Sequence, residues 1–146
     1  MDRSPSSTNE LLGYPADARL LIVNADDFGM CQAVNEAVMR AFPAGVLRSA
    51  TVMVPCPWAL QAMRFLAAHP DIPFGVELAV ISEWPDYRWG PLTPREKVPS
   101  LIRGDGSFYN FDQMPQFLAQ VDLKQLEMEF LAPTEAVLGF GLRPTH

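Results

Sequence analysis

The chain has 146 residues, of which 49% are hydrophobic, and a formal net charge of −6; this length and composition suffice for the core of one domain. Its acidity and its sequence pI near 4.8 argue against a nucleic-acid groove or an anionic membrane surface, and its apolar runs fall short of the roughly 20 residues that span a membrane. Cys31 and Cys56 match neither a disulfide framework nor a zinc motif, and no secretory signal is visible, so we expect free thiols in a cytoplasmic protein.

The first half of the chain predicts strands that alternate with helices. Residues 1–18 contain Ser, Pro, Asn and Gly without periodicity, which is typical of a flexible lead-in. An unbroken aliphatic run then predicts a strand over 19–25 that is buried on both faces, as in a parallel sheet, with 26–30 forming the turn that follows. Apolar residues at helical spacing predict a first helix over 31–42.

Two more strands and a second helix continue this pattern. We predict a strand over 49–54, a helix over 58–68 and a third strand over 74–80, with prolines between them. The alternation of strands and helices is typical of an α/β protein with a parallel sheet or a barrel. The sequence therefore predicts one α/β domain over 19–146.

The second half of the chain has a different character. A long loop over 82–92 is dense in aromatic residues, proline and glycine, and residues 104–107 predict a turn. A last helix is expected over 123–138. Pro133 lies inside this helix and should kink or interrupt it, because proline removes a backbone hydrogen bond at a cost of about 3 kcal/mol.

Two adjacent carboxylates, Asp26 and Asp27, follow the first predicted strand, where α/β folds place their chemistry. Like charges so close together raise one pKa unless a cation or a proton is shared between them. One interpretation is that one aspartate binds a divalent cation while the other acts as a general base on water. The other interpretation is that one of them only caps the following helix.

Glu77 is a carboxylate inside an otherwise apolar predicted strand. A charge buried there needs water, a cation or a basic partner, so Glu77 either lines a site or faces solvent at the end of the strand. The loop that follows contains Trp84, Tyr87, Arg88 and Trp89. Aromatic faces and an arginine suit a wall that binds sugars, although the same residues could simply cover an edge of the core.

Four segments of the chain, taken together, resemble a known family. They are Leu-Ile-Val-Asn-Ala-Asp-Asp-Phe-Gly at 21–29, Gly-Val-Glu-Leu at 75–78, Glu-Trp-Pro-Asp-Tyr-Arg-Trp-Gly-Pro-Leu at 83–92 and Gly-Leu-Arg-Pro-Thr-His at 141–146. In this order they are similar to the N-terminal half of the YdjC-like carbohydrate deacetylases, and the similarity covers nearly all of the chain after residue 18. It implies a partial, distorted (β/α) barrel of the glycoside hydrolase and deacetylase type. It also implies metal-dependent removal of acetyl groups from N-acetylated sugars such as chitooligosaccharides.

The resemblance assigns roles to individual residues. Asp26 matches the catalytic base of the family, and Asp27 matches a metal-binding aspartate. Glu77 stands where the family has a histidine ligand, a change that a hard cation such as Mg²⁺ tolerates. His146 matches the first histidine of a Thr-His-Leu-Asp-Ser-His motif and is expected near the site, whereas the second histidine of that motif, the third ligand, lies beyond this chain. Mg²⁺ or Zn²⁺ is the implied cofactor.

Two hypotheses about function follow from the residues and the resemblance. The first is a deacetylase that acts on an N-acetylated oligosaccharide. The second is a catalytically inactive fragment of the fold, impaired by Glu77 and by truncation, with a binding or assembly role. A binding module for a phosphorylated ligand lacks the support of a glycine-rich phosphate loop. Because half a barrel exposes strand edges, we also expect a homo-oligomer, with neither nucleic acid nor membrane as a partner.

Overall fold

The computed structural model describes residues 7–146 and contains a parallel sheet of three strands in the order β1-β2-β3. A helix follows β1 and another follows β2, so each pair of neighbouring strands is joined through a helix. The predicted α/β alternation is therefore confirmed. The elements of this part are α1 (Thr8–Leu11), β1 (Asn24–Phe28), α2 (Gln32–Ala41), β2 (Ser49–Val52), α3 (Ala59–Ala68) and β3 (Phe74–Val76).

The remaining elements are helical and follow the long loop. Asp122 begins the longest helix, because its side chain accepts hydrogen bonds from the backbone N–H groups of Lys124 and Gln125. This helix runs through the buried Pro133 to Gly139, so of the expected kink or interruption the interruption does not occur; burial against the domain offsets the hydrogen bond that proline lacks. The elements are three 3₁₀ turns (Arg95–Lys97, Pro99–Leu101, Phe111–Gln113), α4 (Met114–Gln120) and α5 (Leu123–Gly139).

The first strand begins at Asn24 in the structure, whereas the aliphatic run of the sequence begins at Leu20. Leu21 is 83% exposed and Ile22 is 75% exposed, so the expectation of a strand buried on both faces over 19–25 is wrong. Pairing with the neighbouring strand begins where the backbone N–H of Arg48 donates to the carbonyl of Val23. Residues before Val23 lie beyond the end of β2 and have no partner strand there. As a result, Asp26 and Asp27 belong to β1 and not to a turn.

Two other boundaries also differ from expectation. The third strand ends at Val76 instead of residue 80, because its partner β2 ends at Val52 and the last backbone bond runs from Glu77 to Val52. In the lead-in, residues 1–6 lie outside the described residues. Residues 8–11 form α1, held by reciprocal hydrogen bonds between Ser7 and Glu10.

One face of the sheet is apolar and packs against α2 and α3. Successive residues along each strand point to opposite faces, and residues paired across neighbouring strands share a face. The paired residues Ala25, Ala50 and Phe74 lie on the apolar face. The core on this side combines strand residues with residues from both helices. Its buried members are Phe28, Val38, Leu47, Ala50, Val52, Val54, Ala62, Met63, Leu66, Phe74, Val137 and Leu142.

The opposite face of the sheet is polar. Asn24 pairs with Ser49, and Thr51 pairs with Gly75, so their side-chain positions alternate with the apolar row. Asp26 is exposed on this face, and Thr51 is half-buried. The fold therefore presents a row of hydrogen-bonding groups along the polar face of the sheet.

A second core lies beneath the long loop and the 3₁₀ turns. It is built mainly from residues 89–117, with Met53 and Cys56 reaching it from the segment after β2. Its buried members are Met53, Cys56, Trp89, Val98, Leu101, Phe108, Tyr109 and Phe117. Among residues 7–146, no helix combines the length and the apolar character that crossing a bilayer requires.

Candidate functional site

A carboxylate from β1 and the carboxylate that directly follows β3 meet at a threonine on the polar face of the sheet. The hydroxyl oxygen of Thr51 lies 3.3 Å from Oδ1 of Asp26 and 3.3 Å from Oε2 of Glu77. A hydroxyl carries one proton, so Thr51 can donate to only one of these carboxylates at a time. Sequence reasoning missed Thr51, because threonine is common in strands and nothing in its neighbours marks it.

Asp26 is held by a chain of side-chain hydrogen bonds. The amide of Asn24 donates to Oδ1 of Asp26 at 2.7 Å, and the hydroxyl of Ser49 donates to Oδ1 of Asn24. Asp26 is nevertheless exposed. Its carboxylate is thus oriented by the protein while it stays in contact with water.

Asp27 has an unusual backbone conformation. Its φ is +59°, a left-handed value that no other non-glycine residue among 7–146 adopts, and the register between β1 and β2 shifts between Ala25 and Phe28. Such bulges re-aim side chains and are frequent beside active sites. The conformation also turns the N–H of Asp27 toward Oε2 of Glu77, at 3.3 Å. The bulge therefore joins the ends of β1 and β3 at one point.

The electrostatics of the site favour an additional positive charge. Burial raises the pKa of Asp27, and the negative charge of Asp26 raises it further. Burial also raises the pKa of Glu77; the N–H of Asp27 and the hydroxyl of Thr51 oppose this shift, while the charges of Asp27 and Asp26 add to it. Within the described part of the chain, the ion pair found is Arg103 with Asp105, so no basic side chain there neutralises the three carboxylates.

The donor atoms of this site suit a divalent cation in type. Carboxylate oxygens such as those of Asp27 and Glu77 are preferred by Mg²⁺ and also bind Zn²⁺. However, no three His, Cys, Asp or Glu side chains between residues 7 and 146 are grouped as a metal ion requires. The chemistry of the donors fits the implied metal, whereas the described residues do not assemble a full set of ligands.

The alternative role of the aspartates as helix caps is wrong. Helix α2 is preceded by Cys31, which makes no side-chain capping bond. The turn between β1 and α2 is held instead by the fully buried Asn35, whose Oδ1 accepts from the N–H of Gly29 at 2.7 Å. The amide of Asn35 donates to the carbonyl of Trp58 and to Gln61. Asn35 is a second residue that the sequence did not single out.

An open cavity lies next to this turn. Its volume is 440 Å³, and Trp84 and Tyr87 line it together with Met30 and Cys31. The Tyr87 hydroxyl donates to the carbonyl of Met30, which fixes the ring against the β1–α2 turn. Trp84 is exposed, with 51% of its surface accessible to solvent. Two of the four residues expected in a sugar-binding wall therefore lie together at one cavity.

The other two residues of the expected wall pack elsewhere. The guanidinium of Arg88 donates to the carbonyls of Ser82 and Phe108, at 2.9 and 2.6 Å. Trp89 is only 5% exposed and belongs to the second core. Their contacts favour the alternative interpretation, in which these two residues hold the loop together.

The final residues of the chain lie along β3. The carbonyl of Phe74 accepts from the N–H of Thr145, and the N–H of Val76 donates to the carbonyl of His146. The ring of His146 occupies the space in front of Gly75, where an added Cβ would lie 2.5 Å from ring atom Cδ2. Because Gly75 pairs with Thr51, the imidazole stands on the polar face of the sheet.

Both cysteines are free thiols, as expected from the sequence. Burial raises the pKa of Cys56 to about 12, and the charges of Asp27 and Glu77 contribute to that increase. The thiol of Cys56 therefore stays protonated beneath the carboxylates.

A family model described as YdjC-like protein matches residues 20–146. The chain belongs to the YdjC-like family. It is 34% identical over 128 residues to a carbohydrate deacetylase of Geobacillus stearothermophilus, a match that covers 88% of this chain and 47% of that protein. It is 30% identical over 130 residues to a chitooligosaccharide deacetylase of Yersinia enterocolitica, and this match covers 88% of this chain and 47% of that protein.

A solved structure has the same fold as this YdjC-like chain. It is an Enterococcus faecalis protein named for cellobiose-phosphate cleavage, with a TM-score of 0.74 and 32% identity. The match covers 86% of this chain and 46% of that one. The chain thus spans about half the length of the relatives that it matches.

Proposed function

We propose that this YdjC-like chain takes part in removing acetyl groups from N-acetylated carbohydrates of the chitooligosaccharide type. The observation that carries the proposal is the junction of Asp26, Thr51 and Glu77 on the polar face of the sheet. Such a junction provides an exposed base beside partly buried carboxylates that need a cation. The names of the relatives, carbohydrate deacetylase and chitooligosaccharide deacetylase, support the substrate class.

In the proposed reaction, Asp26 is the general base. It takes a proton from the water that attacks the acetyl carbon, a role that requires contact with solvent and a fixed carboxylate. Its hydrogen bonds from Asn24 and Thr51 hold it in place. Asp27 and Glu77 would hold Mg²⁺ or Zn²⁺. When bound, such an ion supplies Lewis-acid polarisation of the acetyl carbonyl.

Trp84 and Tyr87 are the proposed contacts for the sugar. Both line the 440 Å³ cavity beside the β1–α2 turn, and aromatic rings with one polar end suit the alternating apolar and hydroxylated faces of a pyranose. Arg88 and Trp89, the other members of the expected wall, support this loop from beneath. His146 stands beside the site and completes its polar face.

We further propose that residues 19–146 form part of a distorted (β/α) barrel whose interior is the polar face of the sheet. The open three-stranded sheet and the greater length of the relatives support this arrangement. The ligands that a metal ion needs beyond Asp27 and Glu77 would then come from outside residues 7–146.

Acetate release from di-N-acetylchitobiose, measured with added divalent cation, tests the proposed reaction. Asp26→Asn removes the base and keeps the shape of the side chain, so the rate should fall by about 100-fold. Asp17→Asn, which changes an exposed aspartate in the N-terminal segment, should have no effect. Equal rates for Asp26→Asn and the parent chain would refute the assignment of the base.

A second candidate function is carbohydrate binding without turnover. The observation in its favour is that the described residues group no three metal-binding side chains. In this case, the purified chain would bind chitooligosaccharides at Trp84 and Tyr87 and release no acetate at any concentration of divalent cation. Metal-dependent turnover by the rigorously purified chain would exclude this alternative.

A further inference from the structure

A second open cavity adjoins the one at Trp84 and Tyr87. Its volume is about 550 Å³, and the walls of both cavities include Cys31. The two cavities therefore meet at the turn between β1 and α2, and together they form one groove. The second cavity is lined by Cys31, Gln32, Ala33, Glu36 and Trp58, none of which the proposed reaction uses.

Trp58 stands in the second cavity because its backbone is tied to the β1–α2 turn. Its N–H donates to the carbonyl of Gly29 at 3.1 Å, and its carbonyl accepts from the side-chain amide of the buried Asn35 at 3.0 Å. Trp58 and Trp84 are both exposed. The groove thus presents one indole in each cavity, and aromatic rings with a polar end suit the apolar and hydroxylated faces of a pyranose.

Each cavity also contains one exposed carboxylate. Asp86 lines the cavity of Trp84, and Glu36 lines the cavity of Trp58. No lysine, arginine or histidine lines either cavity, and neither carboxylate forms an ion pair within residues 7–146. The side-chain amide of Gln32, which donates to Glu36 at 2.9 Å, is neutral. The positive end of α2 amounts to about half a charge, so two carboxylates outweigh it and the groove is negative.

We propose that this groove binds an oligosaccharide whose sugar units carry free amino groups, as a deacetylated chitooligosaccharide does. One unit stacks on Trp84 and another on Trp58, while their ammonium groups lie near Asp86 and Glu36. The inference rests on the proposed function for the sugar site at Trp84, and it adds a second unit and a preference for positive charge. Deacetylation turns a neutral acetamide into an amine, so the groove favours sugars that have already lost acetyl groups.

The indole N–H signals of the ¹⁵N-labelled full chain report on both cavities. Titration with chitobiose, the fully deacetylated disaccharide, should shift the assigned Nε1–H signals of Trp58 and Trp84 in a saturable way. The signal of Trp89, which is buried in the second core, should stay in place. At about pH 6 amines of this kind are protonated, and the absence of divalent cation prevents turnover of acetylated ligands during the titration.

A parallel titration with di-N-acetylchitobiose tests the charge preference. This ligand has the same two rings without ammonium groups, so it should bind about tenfold more weakly, because two exposed ion pairs contribute about threefold each. Added salt should reduce the difference between the two ligands, since it screens exposed charges.

Carboxamide variants assign this preference to individual side chains. Glu36→Gln and Asp86→Asn should each lower the affinity for chitobiose by about threefold and leave that for di-N-acetylchitobiose unchanged. Both positions are exposed, so the variants should fold, which an otherwise unchanged spectrum verifies. Glu135→Gln, an exposed change on α5, should bind both ligands like the parent.

Three results would overturn the inference: a Trp58 signal that does not move when chitobiose saturates the chain, equal affinity for the two disaccharides, or carboxamide variants that bind chitobiose like the parent. Acetate release is measured separately and decides the proposed function. A chain that releases acetate while its Trp58 signal stays in place retains the proposed function and refutes the second sugar site. A chain that releases none but shows both shifts retains the groove.

Discussion

Thr51 connects Asp26 of β1 with Glu77, which directly follows β3. Its single hydroxyl proton cannot serve Asp26 and Glu77 together, so only one of them accepts a hydrogen bond from Thr51 at a time. Asp27 adds a third carboxylate with a strained backbone, and left-handed conformations of this kind often occur at functional sites. These features support the proposal that Asp27 and Glu77 hold the cation and that Asp26 accepts the proton.

Replacement of Glu77 by histidine should change which cation the chain prefers. Imidazole is a preferred zinc ligand whereas carboxylates suit Mg²⁺, so Glu77→His should raise the affinity for Zn²⁺ by about tenfold and weaken Mg²⁺ binding. Calorimetric titration of the purified chain with each cation measures both effects. Glu135→His, at an exposed position of α5, is the matched control. The same Zn²⁺ affinity in all three proteins would show that side chain 77 does not contact the metal.

The two thiols should differ sharply in reactivity. The pKa of Cys56 is raised to about 12, so at about pH 8 only about one Cys56 in ten thousand is the reactive thiolate, and this fraction grows about tenfold per pH unit. Cys31 is only half-buried. Iodoacetamide should therefore modify Cys31 in the folded chain and spare Cys56 until the pH is raised or the protein is unfolded.

Peptide mass spectrometry after brief alkylation distinguishes the two sites. A Cys31→Ser variant should take up almost no label while folded, and both cysteines of the parent should be labelled in denaturant. Labelling of Cys56 as fast as Cys31 in the folded chain would mean that Cys56 is neither buried nor protonated as described.

At the scale of single residues, the sequence could predict those that contrast with their surroundings. Asp26, Asp27 and Glu77 are charges next to apolar runs, and the structure brings all three together. Thr51 and Asn24 could not be predicted, because their roles depend on the register of β1 and β2, which no local pattern specifies.

At the scale of elements, Glu129 of α5 anchors the long loop. Its carboxylate is 2% exposed and accepts from the backbone N–H groups of Leu92 and Thr93, at 2.9 and 3.0 Å. Glu129→Ala should lower the free energy of unfolding by about 3 kcal/mol, because two buried N–H groups lose a charged acceptor. Urea denaturation measures the change.

Glu127→Ala is the matched control for Glu129→Ala, since Glu127 is exposed on the same helix. It should change stability by less than about 0.5 kcal/mol. If both variants are equally stable, the two backbone bonds to Glu129 contribute nothing to the fold.

Helices and strands were not equally predictable. The bounds of α2, α3 and α5 agree with expectation within about two residues, because helical periodicity is a local property of each segment. Strand ends differ by several residues, since each end depends on the length of the partner strand. Helix α4 was not predicted at all; it is seven residues long and has one buried residue, Phe117, too few for a periodic signal.

For the whole molecule, the edge of the sheet at β1 is the feature that bears on association with other chains. Among residues 7–146, β1 pairs only with β2, and the aliphatic residues that precede it are exposed: Leu20 by 47%, Leu21 by 83% and Ile22 by 75%. An unpaired strand edge beside consecutive exposed aliphatic side chains is a site of association. We expect copies of this chain to associate through the segment 20–22 and the adjacent edge of β1.

Sedimentation at micromolar concentration tests this association. The parent chain should sediment as a dimer or a larger species, and a Leu21→Lys, Ile22→Lys variant should sediment as a monomer of 16.2 kDa, because two charges on the segment oppose its burial. Leu118→Lys is the control: Leu118 is 63% exposed on α4, outside the proposed contact, and should leave the assembly intact. If the parent chain sediments as a monomer, the apolar side chains of residues 20–22 remain exposed to water and the proposed association is wrong. In that event the edge of β1 is not covered by a second copy of the chain.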